Sequence, residues 1–276
     1  MRAVAGPGRW SSARWVWGLS GLVTAAVLGV PLAHLITGVG DPQGAWPQNV
    51  VTRTETVPQP VTSVVVDSYG GQVQVASGPV SRVQVTETIM YDQQVRLPAV
   101  VQAVSDGRLA LSSRACASTD CGVDFRMTVP PGVTVTVSAE GGQVTVSGTA
   151  GANLDSGGGP TTATLIGGPL TVVTDGGTLI ARDIAAATAT VVTGGGDATV
   201  VFSAAPKSVK LSTGGGTAVL AVPGGPYAVT ADSGGGPESL GIATDPAARP
   251  TLTVSSGGGP LRIEPAPRLW RPGLSA

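Results

Sequence analysis

The chain has 276 residues with 16 basic and 17 acidic side chains, and only 12% of its residues are charged. This near-neutral balance excludes nucleic-acid binding through a clustered basic face. Histidine-dependent catalysis is also excluded, because the one histidine, His34, lies inside an apolar N-terminal run. The many Val, Thr and Gly residues predict an all-β protein with many turns.

The N-terminal segment predicts a membrane anchor. Residues 1–14 carry three arginines and no acid, and residues 15–37 form a run of 23 residues without a charged side chain. About 20 apolar residues span a bilayer, and basic residues before such a run place the N-terminus in the cytoplasm. We therefore expect a single-pass transmembrane helix at 15–37, embedded in the lipid bilayer, and an extracytoplasmic C-terminal part. Secretion after cleavage of a signal peptide near Gly40 is the alternative.

The next two segments predict a linker and a β-rich region. Residues 38–60 contain several prolines and little apolar periodicity, which predicts an extended linker. Residues 61–130 predict the less regular, β-rich N-terminal part of the ectodomain. The run from Arg82 to Ile89 alternates as a half-buried strand does, and Asp106 followed by Gly107 is a hairpin signal. Stacked repeats need an atypical end unit, and we expect this region to be that cap.

The two cysteines, Cys116 and Cys121, are separated by four residues. A zinc site needs two more soft ligands, and a Cys-x-x-Cys redox motif has two intervening residues, so neither pattern is met. In an exported segment this spacing predicts a disulfide between Cys116 and Cys121 that closes a short loop. Two buried thiols are the alternative.

Residues 131–264 contain glycine clusters at a regular interval. From Gly142 onward, the last glycine of each cluster follows the previous one by 17 to 23 residues, ending at Gly259. Short β-branched runs between the clusters place valines on one face and hydroxyls on the other, as in Val133-Thr-Val-Thr-Val-Ser138. This self-similarity predicts a β-solenoid, a parallel β-helix-like stack with two or three strands per coil.

The same pattern predicts the role of each residue type in a coil. We expect valines to form the interior and glycines to form a corner that no Cβ can enter without strain. Ser, Thr and Asp beside the glycines are expected to hydrogen-bond the backbone of the turn. Residues 265–276 are rich in proline and predict a C-terminal cap or tail.

Patterns for metal, phosphate and catalytic sites are weak in this sequence. Calcium-binding β-rolls have a shorter period, and the only lysines, Lys207 and Lys210, do not follow a glycine cluster as in a phosphate loop. We therefore predict no metal, no cofactor and no catalytic residue. A carbohydrate-active solenoid would need a pair of acids, whereas the acids of the repeats are spread singly and are interpreted as solvated turn residues: Glu140, Asp155, Asp175, Asp183, Asp197, Asp232 and Glu238.

Three features together resemble a known bacterial family. They are the single N-terminal span, the linker leading into Val61-Thr-Ser-Val-Val-Val-Asp-Ser-Tyr-Gly-Gly-Gln-Val-Gln-Val75, and the tandem (Ser/Thr)-Gly-Gly-Gly units. Over residues 61–264 the chain resembles the bacterial putative adhesin family, a β-strand-repeat domain of unknown function in envelope proteins. The resemblance implies an extracytoplasmic β-solenoid and supplies no catalytic residues. Many members have Gly-Ser-Gly and a charged residue where this chain has Gly-Gly-Gly, so its turn surface is less charged.

These features lead to one main hypothesis and two alternatives. The main hypothesis is a membrane-anchored, extracytoplasmic, non-enzymatic adhesin-like or envelope interaction protein. Its Thr/Ser faces and the turns beside the glycines would contact a cell-wall, glycan or protein partner. The first alternative is a sensory or regulatory ectodomain in envelope-stress signalling, although 14 cytoplasmic residues are too few for an effector domain. The second is a solenoid carbohydrate-active enzyme.

Overall fold

Short β-branched runs between glycine turns become strands in the computed structural model. The structure describes residues 49–91, 98–113 and 121–267, and within these ranges every regular element is a β-strand. Val and Thr favour this extended backbone because their branched side chains pack well on a pleated surface. The strands are β1 (Asn49–Thr56), β2 (Ser63–Ser68), β3 (Val73–Ser77), β4 (Gln84–Tyr91), β5 (Val100–Ser105), β6 (Arg108–Ser113), β7 (Gly122–Val129), β8 (Thr134–Ala139), β9 (Val144–Ser147), β10 (Gly151–Ser156), β11 (Thr161–Thr164), β12 (Leu170–Thr174), β13 (Leu179–Ile184), β14 (Thr188–Thr193), β15 (Ala198–Phe202), β16 (Ser208–Thr213), β17 (Ala218–Val222), β18 (Ala228–Asp232), β19 (Glu238–Leu240), β20 (Thr251–Ser255) and β21 (Leu261–Pro265).

The strands form two sheets, and consecutive strands alternate between them along the repeats. Sheet A has the spatial order β1-β4-β7-β3-β9-β11-β13-β15-β17-β21-β19, and sheet B has the order β18-β20-β16-β14-β12-β10-β8-β2-β6-β5. From β8 onward, each repeat contributes one strand to sheet B and the next strand to sheet A. Strands of neighbouring repeats pair in parallel in both sheets.

The interior lies between the inward faces of the two sheets and is filled by aliphatic side chains. Val135 and Val137 in β8, Val191 in β14 and Leu211 in β16 are all buried and belong to one continuous hydrophobic cluster. Burying a side chain of this kind stabilises the fold by about 1.5–3 kcal/mol. The alternation of valine and hydroxyl residues therefore places the valines inside, as predicted.

The N-terminal end differs from the repeats because its outer strands are antiparallel. β1 pairs with β4, β4 pairs with β7, and β5 pairs with β6 in this way. The segment 38–60, predicted as an extended linker, thus contains β1 at the edge of sheet A. Pro47 and Pro58 flank this strand and do not interrupt it, so the backbone N–H groups inside it remain available for pairing.

At the C-terminal end, the last two repeats are stacked in the reverse of their chain order. β20 and β21 pair with β16 and β17, and β18 and β19 lie outside them. After β21, the Ala266 N–H donates to the Val222 carbonyl at 2.9 Å. The final described repeat is therefore an inner layer, and β18 and β19 are the outermost of the described strands at this end.

Several predicted features lie outside the described residues. These are the transmembrane helix at 15–37, Cys116 of the predicted disulfide with Cys121, and the chain after residue 267. The ranges that are described belong to one compact unit, Pro47–Ala276. They contain no helix that is both long enough and apolar enough to cross a membrane.

The last glycine of each turn lies directly against the backbone of the neighbouring repeat. A Cβ at Gly196 would lie 2.2 Å from the Gly177 carbonyl oxygen, and a Cβ at Gly216 would lie 2.4 Å from the Gly196 oxygen. Neither distance is possible between a real Cβ and an oxygen, and the obstructing atoms are backbone. This confirms the predicted corner. We call these residues the glycine column: Gly142, Gly159, Gly177, Gly196, Gly216, Gly236 and Gly259.

A row of hydroxyl side chains accompanies the glycine column. Each hydroxyl donates to the carbonyl oxygen of the glycine three residues later, at 2.6 Å from Thr193 to Gly196 and from Thr213 to Gly216. This confirms that hydroxyls beside the glycines bond the turn backbone. Because these hydroxyls are bonded to the turn backbone, the hypothesis that Thr/Ser faces and turns beside the glycines contact a partner does not rest on them and stays a prediction. The set, called the hydroxyl column, is Ser156, Thr174, Thr193, Thr213, Ser233 and Ser256.

Replacing a glycine of the column should destabilise the stack. We expect Gly196→Ala to lower the free energy of unfolding by about 3 kcal/mol, because the added methyl group would force two repeats apart. The measurement is urea unfolding followed by circular dichroism.

Gly195→Ala, in the same turn, is the matched control. No atom lies within 4 Å of a Cβ at Gly195, so we expect a change within about 0.5 kcal/mol. Equal losses in the two variants would contradict the role given to the glycine column.

Removing one hydroxyl of the hydroxyl column should also reduce stability. Thr213→Val keeps the side-chain shape but leaves the Gly216 carbonyl oxygen without its donor. We expect a loss of about 1 kcal/mol in the free energy of unfolding, measured by urea denaturation.

Thr190→Val makes the same chemical change on the exposed face of β14 and should shift stability by no more than about 0.5 kcal/mol. A Thr213→Val variant as stable as Thr190→Val would count against the hydrogen bond's contribution.

Candidate functional site

The candidate site begins with the strand alternation of β3, β4 and β7, which are neighbours in sheet A. In β7, Val123, Phe125 and Met127 are buried, so Asp124 and Arg126 face away from the interior. Exposed Gln74 has the same orientation in β3, because successive side chains in a strand point to opposite faces. Three adjacent strands therefore present polar side chains on the outer face of the sheet.

These side chains line a cleft of about 420 Å³ on the outer face of sheet A. Arg126 lies in the middle of it, directly across from Gln74 of β3 and Thr86 of β4. Thr88 lies across from Asp124. We call this feature the polar cleft, and its lining residues are Gln72, Gln74, Thr86, Thr88, Asp124, Phe125 and Arg126.

Backbone hydrogen bonds hold one rim of the polar cleft in place. The Gln72 N–H donates to Oδ1 of Asp124 at 2.8 Å. The Phe125 N–H in turn donates to the Gln72 carbonyl at 2.8 Å. On the β4 side, the hydroxyls of Thr86 and Thr54 are hydrogen-bonded at 3.1 Å. The Asp124 carboxylate is thus oriented by backbone, which reduces the cost of ordering it around a ligand.

The polar cleft offers donors and acceptors in nearly equal measure. Gln74 provides an amide, Asp124 a carboxylate that accepts, and Arg126 a guanidinium that donates. One positive and one negative charge cancel, so the cleft does not favour strongly charged ligands. The arrangement suits hydrogen bonding to a neutral, polyhydroxylated molecule.

The acids considered for glycoside hydrolysis lie in separate turns and strands. Asp197 accepts a hydrogen bond from the Thr217 N–H at 2.7 Å, and Asp232 accepts one from the Gly234 N–H at 2.9 Å. Glu140, Asp155, Asp175 and Glu238 are exposed. Among the described residues, no group of three or more His, Cys, Asp or Glu side chains could hold a metal ion. The disulfide between Cys116 and Cys121 stays a prediction.

A second polar feature lies at the N-terminal end of the stack, between β1, β4 and β5. Glu87 of β4 is only 8% exposed and lies directly opposite Arg53 of β1. Together with Glu55, Val100 and Gln102 these residues line a cleft of about 190 Å³. Burial raises the pKa of Glu87, the Glu55 carboxylate raises it further, and Arg53 lowers it. The hydrophobic interior therefore ends in a cluster of charged groups.

Solved bacterial structures are similar to this chain at low sequence identity. A putative adhesin from Bacteroides fragilis is 15% identical with a TM-score of 0.49, covering 80% of this chain and 100% of the other. A putative adhesin from Parabacteroides distasonis is 13% identical with a TM-score of 0.49, covering 78% and 97%. A putative lipid binding protein from the same species is 12% identical with a TM-score of 0.38, covering 78% and 97%. No protein-family model and no curated protein matches the chain.

Two of these structures bear the name putative adhesin, which is the name of the family that the sequence resembles. Sequence reasoning found the strands of the polar cleft but not the cleft itself. The sequence did contain one indication of the cleft residues. Gln74, Asp124 and Arg126 occupy the polar positions in runs that alternate between apolar and polar residues. The pairing of β3 and β4 with β7, which brings these residues together, is not readable from local pattern.

The raised pKa of Glu87 predicts a pH dependence of stability. The folded chain retains this proton at pH values where the unfolded chain has lost it, so stability falls as pH rises from the usual glutamate range through the raised pKa. We expect Glu87→Gln to remove this fall and flatten the profile. The measurement is the urea midpoint between about pH 4 and pH 8.

Glu238→Gln, in exposed β19, is the matched control for the loss of one carboxyl group. The urea midpoint of Glu238→Gln should depend on pH as that of the wild type does. If the Glu87→Gln profile ran parallel to the wild type as well, the buried carboxyl would not be the source of the pH dependence.

Proposed function

We propose that this chain is a membrane-anchored, extracytoplasmic β-solenoid with a non-enzymatic, adhesin-like role, and that it binds a glycan of the cell envelope in the polar cleft. Support for the solenoid comes from consecutive strands that alternate between two sheets and pair in parallel with the next repeat. Support for the anchor comes from the uncharged run at 15–37 and the arginines before it.

The observation that carries the glycan proposal is the mixture of groups in the polar cleft. A sugar hydroxyl both donates and accepts, so adjacent hydroxyls on a ring need acceptors and donors side by side. Asp124 and Arg126 supply these from one strand, and Gln74 adds an amide from the strand next to it. Hydrogen bonds to charged groups are the stronger kind, at about 1.5–3 kcal/mol each.

The size of the polar cleft agrees with a short stretch of glycan. Its volume of about 420 Å³ lies within the range of roughly 300–1,000 Å³ common for small-ligand sites. The cleft lies on the outer face of a sheet, where a longer polymer could continue in either direction. A chain-like ligand is therefore compatible with it.

Changes in the polar cleft should weaken glycan binding. We expect Arg126→Ala and Gln74→Ala each to raise the Kd at least about tenfold, which corresponds to the loss of one or two hydrogen bonds. The full chain in detergent would be titrated with soluble N-acetylhexosamine and neutral hexose oligosaccharides by calorimetry.

Arg262→Ala is the control, because Arg262 is exposed on β21 in the same sheet, far from the polar cleft in strand order. Equal weakening by Arg262→Ala, or no binding of either oligosaccharide class by the wild type, would overturn the glycan proposal. The membrane anchor is tested separately, on membranes from cells that express the full chain. Release of the chain from these membranes by alkaline carbonate would contradict the proposed anchor.

A further inference from the structure

β1 is an edge strand with one unpaired side. It runs over Asn49–Thr56, pairs with β4 on one side, and no described strand lies on its other side. Such an edge presents a row of free N–H and C=O groups that can pair with another strand. All of its residues from Thr52 to Thr56 are exposed, so this edge is open within the described part of the chain.

The side chains of β1 carry opposite charges two residues apart. Arg53 and Glu55 point to the same face, because side chains alternate along a strand. Arg53 lies opposite Glu87 of β4, whereas Glu55 lies opposite Val85 and has no cation across from it. Thr52, Thr54 and Thr56 occupy the other face.

We propose that β1 pairs antiparallel with β1 of a second copy of this chain, about a twofold axis at Thr54. In this register Arg53 of each copy lies opposite Glu55 of the other, so two ion pairs form across the junction. On the opposite face, Thr54 meets its own counterpart, and Thr–Thr pairs and opposite charges are both favourable cross-strand neighbours. The interface is isologous, as a twofold dimer requires.

The charges select this register over its neighbours. A twofold axis at Arg53 would place the two arginines opposite each other, and an axis at Glu55 would do the same with two glutamates. Like charges directly opposite are destabilising. With the axis at Thr54, Arg53 lies between two acids, Glu87 of β4 on one side and Glu55 of the second copy on the other. The charges therefore alternate in sign across the three strands.

Among the described strands, the other three at sheet edges lack this self-complementary pattern. β5 contains no charged residue, β19 has only three residues, and β18 carries one acid, Asp232. β1 is the longest of the four, with eight residues. One strand pair is a small contact, below the area of stable interfaces, so the association should be weak and concentration-dependent.

Complementary charge reversals test the proposal independently of glycan binding. The full chain in detergent would be studied by sedimentation velocity, as wild type, R53E, E55R and an equimolar mixture of the two variants. We expect the wild type to dimerise with rising concentration. Each variant alone should associate at least about tenfold more weakly, because the reversal places like charges opposite each other. The mixture should regain wild-type association, since it restores both opposite-charge pairs.

Two controls match the change in net charge. R262E and E238R make the same reversals at exposed positions of β21 and β19, and both should dimerise as the wild type does. Recovery in the mixture also shows that R53E and E55R are folded. A wild type that stays monomeric up to about 1 mM, or a mixture no better than its components, would overturn the proposal. Loss of association in E238R instead would place the contact at β19.

Discussion

The close approach of successive repeats at the glycine column is the constraint on which the rest of the structure depends. A Cβ at Gly142 would lie 1.8 Å from the Gly71 carbonyl oxygen, and one at Gly159 would lie 2.1 Å from that of Gly142. Because backbone meets backbone at this corner, repeats can stack at the strand spacing of about 4.8 Å in both sheets. A side chain in the column would separate two repeats and disturb the ladders of sheet A and sheet B together.

The same corner determines which residue can precede the glycines. That residue is the last inward-facing position of a sheet B strand, and a turn carbonyl lies within its reach. A small hydroxyl side chain fills the narrow space and donates to this oxygen, as Thr174 does to Gly177 at 3.0 Å. A buried carbonyl left unsatisfied would cost about 1–3 kcal/mol. The six turns of the hydroxyl column meet this requirement with Ser or Thr, whereas the turn at Gly142 has Ala139 at the equivalent position.

The repeats were predictable from sequence because the interactions that specify them are local. The alternation of Val133 to Ser138 gives the buried face of β8, and the glycine clusters give the corner. The reversed order of the last two repeats was not predictable. Both carry the same Ser-Gly-Gly-Gly turn, before β19 and before β21, so this turn motif does not indicate which of them pairs with the preceding repeat.

The N-terminal strands were less predictable because long-range pairing, not local sequence pattern, specifies them. β1 has alternating polar residues and no apolar face from Thr52 to Thr56, so hydrophobic periodicity cannot reveal it. Its pairing with β4 is long-range, as is the pairing of β4 with β7. The polar cleft depends on both β3 and β4 meeting β7, and a local pattern contains no information about that meeting.

The proposed glycan site lies where the repetition of the strands ends. Within the stack, equivalent positions lie side by side, as Thr145 lies beside Thr162 and Thr171 beside Thr190. Such rows present one kind of group and distinguish poorly between ligands. At the N-terminal end, non-equivalent strands meet, and an amide, a carboxylate and a guanidinium become neighbours. Specific binding needs this mixture of donors and acceptors, which is why the proposed glycan site is placed on the least regular strands of the fold.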